Sequence, residues 1–347
     1  MNSILKYAKK ETTPPKKLQE KKQRIAKKAC DLVSQCIEKH SQVVGFELGG
    51  SYAKGTWLPE KADIDIFVKF NKKTSEKDFR NIGTKIGFES LKKYKPYTRH
   101  AEHPFVEAII DGTRVNVVPC YDVNEGEWKS ATDRSIYHTK FMLQKLSNSM
   151  KGDVRILKKF LQYIEVYGAE IAKEGFSGYV TEALIFYFGS FEKTIKKISE
   201  LKKGQVIGKS TKKFDSFVVI IDPIDNNRNL GTAISIENLG KFVLASRAFL
   251  RNPSKNFFKK PISKRIMKNT DKIIVVQFKV KERSDDIVWG QIKRASNALK
   301  TQLELGGFTV LRNSSVKDEK ENAALIFLLH AKKIENSLVR SGPEISS

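Results

Sequence analysis

In the first third of the chain, the apolar residues switch between helical and strand-like spacing. Helical spacing over Pro14–Lys39 and Phe79–Lys93 predicts two amphipathic helices. Short apolar runs predict four strands, at Val43–Leu48, Ile64–Phe70, Phe105–Ile110 and Arg114–Pro119. The last two flank Asp111-Gly112, a dipeptide typical of a hairpin turn. The order strand, strand, helix, hairpin favours a small mixed sheet with helices over a doubly wound Rossmann fold.

Helical spacing dominates the middle of the chain. It predicts helices at Val154–Ile164, Gly178–Ile198 and Ile236–Leu250, with one strand at Phe217–Ile221. Beyond a basic connector at 251–270, a strand, a helix and two strands are predicted, at Ile273–Val280, Asp286–Leu305, Phe308–Arg312 and Ala324–His330. We therefore expect an α+β chain of three domains: a mixed-sheet head at 1–140, a mainly helical central domain at 141–268 and a β-α-β-β domain at 269–347.

The charge of the chain points to a polyanionic partner. The 347 residues include 64 Lys and Arg against 39 Asp and Glu, a net charge of +25. Basic residues cluster within 1–28 and within Arg251–Thr270, where Phe257 and Phe258 are interleaved with them. Such clusters favour nucleic acid, because neutralised phosphates release condensed counterions. A lysine-rich proteome without any polyanion partner is the alternative.

Membrane insertion and disulfide pairing are not expected. No apolar run approaches the roughly 20 residues that a membrane span requires, and the lysine-rich N-terminus has no apolar signal segment. The three cysteines, Cys30, Cys36 and Cys120, form no CxxC pair. Free thiols of this kind are typical of a cytoplasmic protein.

The stretch most informative about chemistry is Gly49-Gly50-Ser51, followed by Asp63-Ile64-Asp65. Glycines before a helix let backbone N–H groups approach a phosphate closely, and Ser51 adds a hydroxyl. Two aspartates two residues apart on a strand share one face, about 7 Å apart, and can hold a pair of divalent metal ions. The alternatives are a tight turn and a solvated strand edge.

With this glycine-serine loop and Asp-x-Asp strand, the sequence resembles the polymerase-β-like nucleotidyltransferases. It is more closely similar to the archaeal (class I) CCA-adding enzymes, template-free polymerases that add C, C and A to the 3′ end of tRNA. The similarity rests on five further stretches in family order: Arg99–Pro104, Val117–Tyr121, Tyr167–Glu170, Gly175–Tyr179 and Ile221–Asn229. It implies a nucleotidyltransferase head, CTP and ATP as substrates, Mg²⁺ as cofactor and the acceptor arm of tRNA as partner. A homodimer is left open.

The resemblance also assigns roles to individual residues. Those that would hold the nucleotide are Gly50, Ser51, Lys54, Ser135, His138, Lys158, Tyr167 and Arg228. Lys54 stands where the family has an arginine, and Arg228 matches an arginine that reads base and phosphate. His103 would lie near the primer end. On the residues alone, a structural role stays open for His103, His138, Lys158 and Tyr167.

Asn116 is a departure from the family at the catalytic centre. The expected metal-binding and catalytic set is Asp63, Asp65 and a third carboxylate, at the position where this chain has Asn116. An amide binds a hard cation less well than a carboxylate and cannot act as a base, a role worth about 10²–10⁴ in rate. We therefore expect weakened catalysis.

The second departure is length. The family continues well past the position of Gly342-Pro343, whereas this chain ends at Ser347. The C-terminal domain is therefore expected to be shortened relative to the family.

Two other functions stay open at this stage. One is another polymerase-β-like nucleotidyltransferase, such as a poly(A) polymerase. The other is a catalytically impaired, tRNA-binding form of the CCA-adding fold.

Overall fold

A computed structural model describes residues 1–99, 104–259, 271–281, 283–318 and 321–334. The chain divides into two compact units, Met1–Pro261 and Ile262–Ser347. The further division of the first unit near residue 140 stays a prediction.

The first part of this unit combines four helices with a five-stranded mixed sheet, which confirms the predicted architecture of the head. The helices are α1 (Asn2–Thr12), α2 (Lys16–Ile37), α3 (Gly50–Lys54) and α4 (Glu76–Leu91). The strands are β1 (Val43–Gly49), β2 (Ile64–Asn71), β3 (Tyr97–Arg99), β4 (Phe105–Ile110) and β5 (Thr113–Asp122). The sheet order is β1-β2-β5-β4-β3, with β2 and β5 parallel and the other neighbours antiparallel.

The alternation of side chains along β2 gives this sheet two different faces. Ile64, Ile66, Val68 and Phe70 are fully buried in a core shared with α2 and α4. Because successive side chains point to opposite faces, Asp65 projects from the other side of the sheet. The helices therefore cover one face, and the polar chemistry lies on the other.

The rest of the first unit is mainly helical, as predicted. It contains α5 (Asp133–Lys145), α6 (Asn148–Tyr163), α7 (Gly178–Phe188), α8 (Phe191–Ser199) and α9 (Ile236–Arg251). A small sheet joins β6 (Gln205–Ile207), β7 (Val218–Asp222) and β8 (Asp225–Asn229). Buried phenylalanines dominate the core, including Phe160, Phe176, Phe191, Phe242 and Phe249.

One predicted helix is wrong in its length. The pattern over Gly178–Ile198 predicts a continuous element, whereas the chain breaks at Gly189, whose φ of +85° ends α7. A left-handed conformation is tolerated by glycine without steric cost and commonly terminates a helix. Ser190 then caps α8, because its side chain accepts a hydrogen bond from the Lys193 N–H.

The second unit has the predicted β-α-β-β order. Its elements are β9 (Ile273–Lys279), α10 (Asp285–Leu305), β10 (Val310–Lys317) and β11 (Asn322–Leu329), and its antiparallel sheet has the order β10-β11-β9. Val288 and Ile292 of α10 pack with Leu325 and Phe327 of β11. Within the described parts of both units, no helix is long and apolar enough to cross a membrane.

Candidate active site

The loop between β1 and α3 passes directly over the aspartate strand. Gly50 has a φ of +68°, and a Cβ atom at this position would lie 1.9 Å from Oδ2 of Asp65. Only glycine fits such a close approach with that backbone conformation. The next residue, Ser51, lies in the first turn of α3. The structure therefore brings Gly50 and Asp65 into direct contact, and their shared role in one site stays a prediction.

Asp65 and Asn116 meet because β2 and β5 are parallel and in register. Asp65 pairs with Asn116 across the two strands, and Asn116 Nδ2 donates a hydrogen bond of 2.8 Å to Asp65 Oδ1. Burial raises the pKa of Asp65, and this hydrogen bond from Asn116 opposes the rise. On the other side of Asn116, its register partner on β4 is Glu107, a buried carboxylate that contacts Tyr97 and Arg99.

Asp63 lies immediately before β2, which begins at Ile64 as predicted. Its carboxylate accepts two hydrogen bonds from Arg114, with Nε to Oδ1 and Nη2 to Oδ2 both at 3.0 Å. This is a bidentate arginine–carboxylate pair, a geometry stronger and more specific than a single contact. Each of the two aspartates is thus engaged by a nitrogen donor of β5.

The oxygen donors at this point suit a divalent cation. Asn116 is 8% exposed, and its Oδ1 has no hydrogen-bond partner among the described residues. A buried acceptor left unpaired costs about 1–3 kcal/mol, which a bound cation would offset. Hard cations such as Mg²⁺ prefer carboxylate and amide oxygens, and Asp63, Asp65 and Asn116 provide them. Nevertheless, the described residues contain no group of three or more Asp, Glu, His or Cys that could hold a metal.

Beneath α3, a buried ion-pair cluster joins the head to the helical part of the first unit. Glu182 of α7 is 1% exposed at its side chain and lies 2.5 Å from Lys54 Nζ and 3.5 Å from Lys158 Nζ. Glu182 Oε1, the oxygen that faces Lys158, also accepts a hydrogen bond of 2.5 Å from the Thr56 hydroxyl. Lys158 also donates to the Thr56 carbonyl at 3.0 Å. Two of the predicted nucleotide ligands, Lys54 and Lys158, are therefore engaged with Glu182.

The electrostatics of this cluster follow from burial and pairing. Burial alone would raise the pKa of Glu182, but Lys54 and Lys158 outweigh it and the pKa is lowered. Burial lowers the pKa of Lys158, although Glu182 opposes that change. Two lysines share one carboxylate, so the cluster carries more positive than negative charge.

A second buried carboxylate, Asp222 at the end of β7, organises another part of the site. It is fully buried and accepts hydrogen bonds of 2.9 Å from Tyr179, from His138 Nε2 and from Arg228 Nη1. The rings of His138 and Tyr179 are stacked with centroids 3.7 Å apart. The predicted nucleotide ligands His138 and Arg228 are thus brought together, although they are far apart in sequence.

The remaining predicted residues fall into three groups. Ser135 is partly buried in the first turn of α5, one turn before His138. Tyr167 lies near Lys158, since both contact the same side of Gly178, and burial raises its pKa. His103 lies outside the described residues.

Comparisons with known proteins indicate the family of the chain. Three family descriptions match successive parts of the chain: a nucleotidyltransferase domain at 29–139, the second domain of tRNA nucleotidyltransferase at 152–259 and the C-terminal domain of CCA-adding enzymes at 269–347. A CCA-adding enzyme of Pyrobaculum islandicum is 35% identical over 99% of this chain and 82% of its own length. One of Sulfurisphaera tokodaii is 37% identical over 86% of this chain and 72% of its own length.

The chain belongs to the CCA-adding enzymes. It is an enzyme, a tRNA nucleotidyltransferase, and the resemblance stated from its sequence is confirmed.

Solved structures of other proteins share the fold of this CCA-adding enzyme. CdnC of E. coli MS115-1 with ATP has a TM-score of 0.56 at 16% identity, over 74% of this chain and 94% of its own. The Cid1 poly(U) polymerase has a TM-score of 0.57 at 14% identity, over 74% and 99%. At this identity the likeness supports the nucleotidyltransferase fold alone.

Sequence reasoning missed three residues that position the site of this CCA-adding enzyme: Arg114, Glu182 and Asp222. Glu182 carried a usable signal, because a lone carboxylate in the apolar helix α7 needs a buried partner. Asp222 ends the apolar strand β7, which is a weaker signal of the same kind. Arg114 carried none, because its pairing with Asp63 depends on the parallel register of β2 and β5.

The His138–Asp222 pair predicts a pH dependence of folding stability. Burial lowers the pKa of His138 below its ordinary 6.5, and Asp222 only partly opposes this. The unfolded chain therefore gains a proton below pH 6.5 that the folded chain does not, so stability falls as pH drops from 6.5 toward the folded pKa. Between pH 7.5 and 5.5, the free energy of unfolding in urea should fall by about 1 kcal/mol more in the parent than in His138→Gln. Equal losses would contradict this assignment.

Proposed function

We propose that this enzyme adds C, C and A to the 3′ end of tRNA, using CTP and ATP with Mg²⁺. The observation that carries the proposal is the position of the Asp65 carboxylate, which lies directly against Gly50 and accepts a hydrogen bond from Asn116. Family membership and the CCA-adding relatives support the choice of tRNA as substrate.

In this proposal, Gly50 and Ser51 hold the triphosphate at the start of α3. Asp63, Asp65 and Asn116 would hold the metal. When bound, the metal would activate the 3′-hydroxyl of the primer and stabilise the pyrophosphate that leaves. Lys54 and Lys158 together carry one positive charge more than Glu182 neutralises, which favours an anion nearby.

The Asp222 cluster would serve base selection. Cytosine and adenine both place an exocyclic amino donor beside a ring nitrogen acceptor. The Asp222 carboxylate binds both Arg228 and His138 Nε2. The guanidinium donors of Arg228 and the other imidazole nitrogen of His138 are thereby held in a constant relative position. Arg228 remains 41% exposed at its side chain and can reach a nucleotide. With Ser135 one turn before His138 on α5, and with Tyr167 as a further predicted contact, protein side chains would take the place of a template.

The tRNA would approach along basic surface. Helix α2 carries exposed Lys17, Lys21, Arg24 and Lys28 on its outer side, and none of them has an ion-pair partner among the described residues. Unpaired lysines and arginines are available to phosphates.

A catalytically impaired tRNA-binding protein is the second candidate. Asn116 and the Arg114–Asp63 pair favour it, because both weaken the acidic character on which metal catalysis depends.

Nucleotide addition to tRNA lacking CCA tests the proposal. The parent should incorporate labelled CTP with Mg²⁺, then ATP only onto ends that carry CC, and should reject UTP. Asp65→Asn should reduce incorporation about 10²-fold or more, since it removes a carboxylate from the metal site. The exposed Asp78→Asn variant in α4 is the matched control and should act like the parent.

Three outcomes would overturn the proposal in different ways. Repeated ATP addition without CTP would favour a poly(A) polymerase. Binding of tRNA without pyrophosphate release would favour the impaired form. Equal activity of the parent and Asp65→Asn would remove Asp65 from the active site.

A further inference from the structure

We propose that the positively charged guanidinium of Arg114 occupies the Asp63 carboxylate of the metal site. It must leave Asp63 before Asp63 can bind a divalent ion. The inference rests on the proposed function only for the location of the metal. It concerns a residue to which the motifs of the sequence give no role.

The geometry of the Arg114–Asp63 pair leaves little room for a metal ion at Asp63. Arg114 uses two nitrogens on the two oxygens of Asp63, both at 3.0 Å. A carboxylate has about four lone-pair positions, and a bidentate fork takes the two that point forward between the oxygens. A divalent ion at Asp63 would compete for these positions and would also meet the positive charge of the guanidinium.

The pairing of an aspartate with a nitrogen donor of β5 occurs twice along the strands. In the parallel register, Ile64 lies opposite Val115 and Asp65 opposite Asn116. Asp63 and Arg114 lie two positions before Asp65 and Asn116, so they form the next pair on the same face of the sheet. Both aspartates of the motif therefore face a nitrogen donor of β5, and the donor at Asp63 is charged.

A buried lysine, Lys22, contacts the residues next to this pair. Lys22 of α2 is 7% exposed and donates to the Ala62 carbonyl at 2.9 Å and to the Thr113 hydroxyl at 2.8 Å. Ala62 and Thr113 immediately precede Asp63 and Arg114. Lys22 thus ties together the residues that precede the two partners, through one backbone carbonyl and one side-chain hydroxyl, while the ion pair itself stays partly exposed.

Other charges near Arg114 do not provide an equivalent partner in this arrangement. Glu107, on the neighbouring strand β4, is engaged by Tyr97 and Arg99. Asp65 is engaged by Asn116. Among the described residues, Asp63 is therefore the carboxylate with which Arg114 forms its ion pair. Neutralising Arg114 would return Asp63 to the metal site without adding a ligand.

Manganese binding to the full-length protein, without tRNA or nucleotide, tests the inference. Free Mn²⁺ is measured by electron paramagnetic resonance in the parent and in Arg114→Met. Removing one nearby positive charge should tighten Mn²⁺ binding about 10-fold, given the strength of charge interactions at a partly buried site. Arg80→Met, which removes an exposed arginine paired with Glu76 on α4, is the matched control and should bind Mn²⁺ like the parent.

Two further variants keep the test decisive. Arg114→Met/Asp63→Asn should lose the gain, which places the tightened ion at Asp63. Arg114→Lys keeps the charge but loses the bidentate fork, so it should tighten Mn²⁺ binding by only about 3-fold. This variant replaces Arg114→Met if Arg114→Met does not fold. Parent-like or weaker Mn²⁺ binding in folded Arg114→Met would overturn the inference.

The outcome is separable from that of the proposed function. A protein that shows the gain in Mn²⁺ affinity but adds no CTP keeps the inference and loses the function. A protein that adds CTP but shows no gain loses the inference alone.

Discussion

The Asn116→Asp variant is expected to incorporate CTP about 10²- to 10⁴-fold faster than the parent, the range associated with a positioned general base. Asn116 lies between Asp65 and Glu107 in the sheet register, and its side chain meets Asp65. A carboxylate there would add a charged ligand and a proton acceptor. Single-turnover addition of labelled CTP to tRNA lacking CCA measures the effect.

The control for this prediction is Asn81→Asp, the same change on the exposed side of α4. It should leave the rate unchanged. An unchanged rate in Asn116→Asp as well would remove Asn116 from the catalytic set. Thermal melts add a second readout, because a new carboxylate beside Asp65 repels it without metal and binds metal when Mg²⁺ is present. The variant should therefore melt below the parent without Mg²⁺ and gain more from its addition.

Glu182→Gln is expected to lower the free energy of unfolding by about 3–5 kcal/mol, the usual result of removing one partner of a buried ion pair. Lys54 and Lys158 would be left buried without a carboxylate, and Thr56 would lose a charged acceptor. Because these contacts join the head to α6 and α7, nucleotide addition should fall with stability. Urea unfolding measures the loss.

Glu76→Gln provides the matched control, since Glu76 pairs with Arg80 on the exposed surface of α4. Such a pair contributes about 0.3–0.5 kcal/mol. In addition, Lys54→Met should recover part of the stability lost in Glu182→Gln, because it removes one of the stranded charges. A loss below about 1 kcal/mol in Glu182→Gln would contradict the buried-network account, given the cost of an unpaired buried charge.

The sequence predicts the elements of the head well because their patterns are local. Every second residue of β2 from Ile64 to Phe70 is buried, and Asp111-Gly112 forms the expected hairpin turn between β4 and β5. Helices α1 and α5 are absent from the prediction. α1 is mostly polar and is held by packing against α6, so its stability comes from tertiary contacts that a local pattern does not contain.

The site divides in the same way. Gly50, Ser51, Asp63 and Asp65 lie close together in the sequence, so a sequence motif identifies them. Their partners come from distant strands and helices. Arg114 depends on a parallel register, and Glu182 and Asp222 act through buried contacts with residues up to 128 positions away. A single sequence indicates that such carboxylates need partners but does not say which partners they have.

The most direct test of the central claim is the intact mass of tRNA lacking CCA after incubation with the parent protein, Mg²⁺ and all four nucleoside triphosphates. The account predicts a product longer by two cytidylates and one adenylate, with no further addition. A tRNA of unchanged mass, or one extended by a run of a single nucleotide, would contradict it.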